Sequence, residues 1–122
     1  MLTNSTLKSF GTDYLAEGLT IVDFWAIWCG PCKAFEPIFE ASAASHPEIK
    51  HLKIDVDTQL ELARFFEISS IPTTLFIRDG YLVGLLAGAL SKSRLEDLIE
   101  QSLGLDMAKV RVEGRLIKDM LE

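Results

Sequence analysis

The chain has 122 residues, 48% of them hydrophobic, which suits one globular domain whose core needs no stabilising disulfides. Its net charge of −6 repels phosphate backbones and anionic lipid, so nucleic acids and membranes are not expected partners. The first six residues lack both a basic start and an apolar stretch of signal-peptide length, so we expect a cytoplasmic protein.

The first half of the chain predicts a helix, a buried strand and a second helix. Residues 7–15 have helical spacing of apolar positions, which leaves room before them for only a short strand or none. Residues 20–26 are apolar on both faces apart from Asp23, as in a central strand that is covered on both sides. The second helix begins at Pro31, which suits a first turn, and we expect Pro37 to kink it.

The second half predicts a parallel strand, a short helix, a hairpin and a last helix. Residues 52–57 alternate apolar and polar side chains, and the preceding helix is long enough for a parallel crossover. Residues 58–67 predict the short helix. Asp79-Gly80 then separates two apolar runs, which is the strongest short hairpin signal. Ser91 is suited to cap the last helix, so the elements form one mixed sheet with its helices.

Residues 105–122 are predicted to be an extension of a main domain that occupies residues 1–104. Part of the extension alternates as a strand does, over residues 109–113, but we favour a helix with an apolar stripe. The stripe consists of Ala108, Val112, Leu116 and Met120.

Both cysteines of the chain lie in the sequence Trp28-Cys29-Gly30-Pro31-Cys32. Two intervening residues bring the sulfurs close enough to bridge where a helical turn begins, so the pair can alternate between dithiol and disulfide. A loop this short removes almost no conformational entropy from the unfolded chain, so a purely stabilising bridge is not favoured. The motif therefore predicts thiol–disulfide exchange.

Six segments together resemble the thioredoxin family in order and spacing. They are Asp23-Phe24-Trp25, Trp28 to Lys33, Pro37, Lys53, Ile71-Pro72-Thr73 and Gly88 to Ser91. The resemblance covers about residues 1–104. It implies an α/β thioredoxin fold, with a central mixed sheet flanked by helices on both faces, to which the C-terminal helix is added here. It also implies a cis bond before Pro72, which would lie beside the cysteines at a helix N-terminus.

The resemblance implies a thiol–disulfide oxidoreductase that reduces disulfide bonds in proteins. Cys29 would attack as a thiolate stabilised by the helix N-terminus, and Cys32 would resolve the mixed disulfide. Asp23, driven to a raised pKa by its apolar neighbours, would accept the Cys32 proton, with Lys53 tuning it. A shallow apolar groove would bind the substrate. Its residues are Trp28, Gly30, Pro31, Ile71, Pro72, Gly88 and Ala89.

The expected partners are disulfide-containing proteins and a thioredoxin reductase that supplies electrons, and a monomer is favoured. The redox group is the cysteine pair itself, so no metal, flavin or nucleotide cofactor is implied. Gly30-Pro31 between the cysteines, with no histidine, favours a reductant over an oxidase. Glu36 stands where the family usually has a small apolar residue. Either it raises the pKa of Cys32 or it is a solvated helix carboxylate.

Two other functions remain open at this point. The cysteines with His46 and His51 have the spacing of a zinc site, but Pro47 follows His46 and His51 begins a strand. We therefore interpret both histidines as surface or strand-edge residues. The fold could instead serve as a binding or chaperone module that docks a partner through the groove or the tail.

Overall fold

The computed structural model describes residues 2–6, 9–10, 17–113 and 115–116, which form six strands and four helices, with Ser9 and Phe10 also helical. In chain order these are β1 (Leu2–Asn4), β2 (Leu19–Trp25), α1 (Gly30–Ser45), β3 (Lys50–Asp55), α2 (Leu60–Phe65), β4 (Thr73–Arg78), β5 (Tyr81–Ala87), α3 (Lys92–Leu103), α4 (Met107–Glu113) and β6 (Arg115–Leu116). Most of the helix predicted over residues 7–15 lies outside the described residues.

The strands form one mixed sheet in the order β1-β3-β2-β4-β5-β6. β1 and β2 run parallel to β3, whereas β4, β5 and β6 join by antiparallel pairing. The sequence left open a short first strand or none, and the structure has a short one, because β1 has three residues at the sheet edge. β2 lies in the interior of the sheet, and its register places Asp23 between Lys53 on β3 and Thr74 on β4.

Helices cover both faces of the sheet, as the resemblance implied. Alternate residues of β2 enter two apolar clusters, with Ile21 in one and Val22 in the other. The cluster of Ile21 includes side chains from α1 and α3, whereas that of Val22 includes Phe10 and side chains from and beside α2. Because successive strand side chains point to opposite faces, the two clusters form the two layers of the core.

Local sequence signals account for the main turns and caps. Asp79 and Gly80 have φ of 51° and 85°, the left-handed conformation that a tight hairpin turn between β4 and β5 requires. The Ser91 hydroxyl accepts a hydrogen bond from the Arg94 N–H at 3.1 Å and caps α3. Pro37 lies inside α1, which continues to Ser45.

The described part of the tail contains a helix followed by a short strand that pairs with the sheet, and residues 109–113, which alternate as a strand does, are helical. The predicted helix is confirmed as α4, but Leu116 lies in β6, opposite Tyr81 of β5. The single helical stripe was therefore wrong at Leu116, and Met120 lies outside the described residues. Strand pairing at Leu116 satisfies backbone groups of the β5 edge that a continuing helix would leave open.

His51 is fully buried, so its interpretation as a surface or strand-edge residue was wrong. Its Nδ1 lies 2.9 Å from the Ile49 carbonyl oxygen and therefore donates, which leaves Nε2 to accept from the Ser42 hydroxyl at 2.9 Å. The ring also packs against Phe39 with centroids 5.1 Å apart. Alternation along β3 showed which residues share a face of the strand. It did not show that α1 covers the face that carries His51.

Acid should destabilise the protein through His51. Burial lowers the pKa of His51 below 6.5, so the unfolded chain takes up this proton before the folded one does. The His51 contribution to the free energy of unfolding should therefore fall as the pH drops below 6.5. A ring-resonance titration by NMR should give His51 a midpoint below 6.5, and a midpoint at or above that value would contradict this.

Candidate active site

Cys29 and Cys32 form a disulfide at the start of α1, with their Cα atoms 5.2 Å apart. Cys29 is the N-cap residue, and its Sγ accepts a hydrogen bond from the Cys32 N–H at 3.2 Å. Pro31 occupies the first turn, as predicted, and that turn holds no acidic side chain. A thiolate at Cys29 would therefore accept from an N–H group that has no backbone partner within the helix, and it would face the positive end of the helix dipole.

The loop before β4 lies directly against the disulfide. The Ile71–Pro72 bond is cis, as the resemblance implied, and the Ile71 carbonyl oxygen lies 3.8 Å from Cys29 Sγ. Gly88 has a φ of 97° and donates its N–H to the Pro72 carbonyl at 2.8 Å. Ile71 thus contacts Cys29, and Gly88 is hydrogen-bonded to the neighbouring Pro72. Glycine suits this position because any side chain would be strained at a positive φ.

An open groove of about 340 Å³ lies on the Trp28 side of the disulfide. It is lined by Trp28, Val56, Ile68, Ser69, Ser70 and Ile71. Trp28 is 69% exposed, and its indole N–H donates to Asp57 Oδ2 at 2.8 Å.

Of the predicted groove residues, Trp28 and Ile71 line this groove, whereas Gly30, Pro31 and Ala89 are simply exposed near the ends of α1 and β5. The sequence missed Asp57 and the wall from Ile68 to Ser70. No motif marks these residues. Asp57 reaches Trp28 because the parallel strands β2 and β3 end at the same edge of the sheet, whereas Ile68 to Ser70 lie in the loop before β4.

A second cleft, of about 170 Å³, leads from the surface to Asp23. Its lining residues are Asp23, Trp25, Ala26, Ile27, Cys32, Lys33, Glu36 and Lys53. Asp23 is 1% exposed, and among the described residues its Oδ1 has no hydrogen-bond partner. Burial raises the pKa of Asp23 to about 7, against the opposing charge of Lys53 and with a further increase from Glu36. A carboxyl that titrates near neutrality therefore shares this space with Cys32.

Lys53 lies at the mouth of this cleft, with a side chain that is only 12% exposed. Its Nζ is 3.8 Å from Glu36 Oε1 and 4.3 Å from the centroid of the Trp25 ring. The Glu36 side chain is 44% exposed and also forms an ion pair with Lys53, so it is not simply a solvated helix carboxylate. The contact with Trp25 was not expected from the sequence, although an aromatic residue two positions after Asp23 shares its strand face.

The residues of the zinc alternative do not come together. The cysteines are disulfide-bonded beyond the end of β2, whereas His51 lies near the start of β3. His46 is bound instead to Glu96, with Nε2 and Oε2 2.9 Å apart. In the described ranges, no three side chains of histidine, cysteine, aspartate or glutamate are grouped as metal ligands.

None of the helices in the described part of the chain has the length and apolar character needed to cross a membrane.

Comparison with known proteins gives concordant matches. The family model described as Thioredoxin matches residues 2–101. "Putative thioredoxin 2" of Streptomyces coelicolor is 42% identical over 106 residues, which cover 87% of this chain and 79% of that protein. "Thioredoxin" of Mycobacterium tuberculosis is 44% identical over 92 residues, or 74% of this chain and 79% of the relative. The oxidised form of mitochondrial thioredoxin 3 from Saccharomyces cerevisiae superimposes with a TM-score of 0.75 at 32% identity, covering 82% of this chain and 94% of that one.

Proposed function

The chain belongs to the thioredoxin family of thiol–disulfide oxidoreductases, and on that premise we propose that it reduces disulfide bonds in other proteins. The predicted thioredoxin fold is confirmed, and the redox group is the Cys29–Cys32 disulfide. The observation that carries the proposal is the placement of this disulfide at the N-terminus of α1, beside a cis-proline loop and an open apolar groove.

The first step is attack by Cys29 on the substrate. In the reduced protein, the Cys29 thiolate attacks one sulfur of the substrate disulfide, forms a mixed disulfide and releases the other sulfur as a thiolate. The Cys32 N–H and the dipole of α1 stabilise the negative charge on Cys29 before the attack. Cys29 is the nucleophile in this proposal because it caps the helix, whereas Cys32 lies within its first turn.

The second step is resolution by Cys32. The Cys32 thiol transfers its proton to Asp23, directly or through water in the shared cleft, and the resulting thiolate attacks Cys29 Sγ. The Cys29–Cys32 disulfide forms, and the second substrate sulfur leaves as a thiolate. The substrate has then gained two electrons, and the protein has lost them. Lys53, whose charge lowers the pKa of Asp23, tunes the acceptor.

The groove and the Ile71–Pro72 loop would bind the substrate chain around its disulfide. An extended segment can pair with the Ile71 backbone while an apolar side chain contacts Trp28. Gly30, Gly88 and Ala89 would permit close approach because they carry little or no side chain, and Pro31 would offer an exposed apolar ring. This arrangement favours many unfolded or flexible substrates over one folded surface.

Electrons would return through a separate NADPH-linked thioredoxin reductase, in the cytoplasm. The test is reduction of insulin disulfides by catalytic amounts of the protein, followed as NADPH consumption in the presence of a bacterial thioredoxin reductase. We expect turnover that depends on both proteins. If dithiothreitol-reduced protein also fails to reduce insulin, the proposed function is wrong. If only the coupled reaction fails, the choice of reductase is wrong.

We also propose that residues 1–104 are the catalytic domain and residues 105–122 a dispensable extension. Arg78 fixes the end of α3 inside the domain, because its Nη1 donates at 2.8 Å to the carbonyls of both Ser102 and Leu103. The described part of the tail, by contrast, adds the seven-residue helix α4, a two-residue strand and an ion pair, and Val112 is 86% exposed.

Truncation after Gly104 should leave insulin reduction within about twofold of the full chain, since no tail residue that the structure describes lines either cleft. The free energy of unfolding should fall by about 1–2 kcal/mol, through loss of edge hydrogen bonds and an exposed ion pair. Insulin turnover and urea unfolding measure the two effects. A truncated chain that keeps its circular dichroism but loses most of its activity would show that the tail acts in binding.

A further inference from the structure

Two carboxylates compete for one ammonium group at the mouth of the Asp23 cleft. Asp23 lies beside Lys53 in the register of β2 and β3, so a lysine on this face could pair with it. Instead, the Lys53 Nζ lies 3.8 Å from Glu36 Oε1 and over the Trp25 ring, while Asp23 Oδ1 has no partner among the described residues. Glu36 thus holds an ammonium group that could otherwise lie closer to Asp23.

We propose that Glu36 is a positioning residue for the resolving step: it holds the Lys53 ammonium at the cleft mouth and thereby sets the pH range in which Asp23 accepts the Cys32 proton. This inference rests on the proposed function, since it concerns how the same site resolves the mixed disulfide. Glu36 touches neither substrate nor sulfur in this role, but acts through Lys53.

The position of Glu36 on α1 supports this role. It follows Cys32 by four residues, which places both side chains on one face of the helix, and both line the cleft. The Trp25 ring lies against the Lys53 ammonium, so the lysine is held between an aromatic face and a carboxylate. These two contacts fix a side chain that is almost buried, so removing one of them should let it move.

The charges around Asp23 come from three elements. β3 contributes Lys53, and α1 contributes Cys32, Lys33 and Glu36, while Asp23 itself is on β2. Lys53 lowers the pKa of Asp23 and Glu36 raises it. Loss of Glu36 therefore acts twice in the same direction, because a repelling charge disappears and the ammonium is released toward Asp23.

The test is the titration of the Asp23 carboxyl by NMR in the oxidised full-length protein, which requires no substrate. In Glu36→Gln the midpoint should fall by about 0.5–1 pH unit, the scale expected for a rearranged neighbouring charge. Glu40→Gln, one turn further along α1 on an exposed side chain, removes the same charge and should leave the midpoint unchanged. The acidic limb of the resolving rate, measured by stopped flow, should move with the Asp23 midpoint.

A second pair of variants tests whether Glu36 acts through Lys53. In a Lys53→Gln background, Glu36→Gln should shift the Asp23 midpoint by less than half as much. An equal shift in both backgrounds would show a direct effect and overturn the positioning role. An unchanged midpoint in Glu36→Gln, or an equal change in Glu40→Gln, would also overturn the inference, while normal insulin reduction by the wild type would leave the proposed function standing.

Discussion

Replacing Cys29 with serine is expected to lower insulin reduction by at least about 1,000-fold, the scale on which loss of a nucleophile acts in other enzymes. A serine hydroxyl has no thiolate form and cannot form a disulfide, so the first step is lost. The fold should persist, because the bridge spans only three positions and contributes little to stability. Far-ultraviolet circular dichroism and insulin turnover on the same sample measure both outcomes.

Cys32→Ser is the matched variant that separates the two sulfurs. It should also stop turnover, but Cys29 can still attack, so the variant should accumulate a mixed disulfide with its substrate in a one-to-one ratio. Mass spectrometry after mixing with a disulfide-containing peptide detects this adduct. Accumulation in Cys29→Ser rather than in Cys32→Ser would reverse the two roles.

Replacing Asp23 with alanine should stabilise the protein while slowing its catalysis. The folded state raises the pKa of Asp23 from 3.8 to about 7, so the folded protein binds this proton more tightly than the unfolded chain. Stability therefore falls as the pH rises through this interval, and above it the full cost is about 4 kcal/mol. At pH 8 the variant should gain about 2–4 kcal/mol, and at pH 4 little or nothing.

Urea unfolding of the oxidised protein at pH 4 and pH 8 measures this effect. Asp97→Ala, on an exposed position of α3, changes the net charge equally and should not reproduce the pH dependence. Asp23→Asn, which keeps the shape of the side chain, provides a second comparison. A stability gain that is equal at both pH values would contradict the ionisation argument, because alanine would then act only through packing.

Asp23→Ala should also slow the resolving step by roughly 10- to 100-fold. This loss is at or below the smallest rate enhancement, about 100-fold, that a general base usually provides. The loss is limited because the cleft of about 170 Å³ is large enough for water, which can take the proton less effectively. Stopped-flow measurement of substrate release from the mixed disulfide follows this step alone. An unchanged rate would remove Asp23 from the mechanism.

Much of the fold could be predicted because short sequence patterns reflect physical preferences of the residues that form them. Asp79-Gly80 predicted a hairpin since these residues tolerate the left-handed backbone found there, and Ser91 predicted a helix start since its hydroxyl can bond a free N–H. The apolar run around Asp23 predicted an interior strand, since a strand that is covered on both faces has apolar side chains on both. Each of these signals involves residues that are neighbours in the sequence.

The remaining features depend on packing between distant elements. His51 lies on the polar side of an alternating strand, and only the arrival of α1 buries it. Asp57 and Trp28 meet because two parallel strands end at the same edge of the sheet. The pairing of Glu36 with Lys53 likewise joins a helix to a strand, and no spacing rule indicates it.

Asp79 ties three parts of the chain together at the end of the sheet opposite the disulfide. Its backbone N–H and its Oδ1 both bond to Gly18, before β2, at 2.9 Å and 2.7 Å, and its Oδ2 lies 3.8 Å from Arg111 of α4. The tail is thus anchored roughly 20 Å from the sulfurs, the length of one strand. Residues can therefore be added or exchanged at this end of the sheet without disturbing disulfide exchange at the opposite end. The extension is thus a suitable place to attach a label or a fused protein.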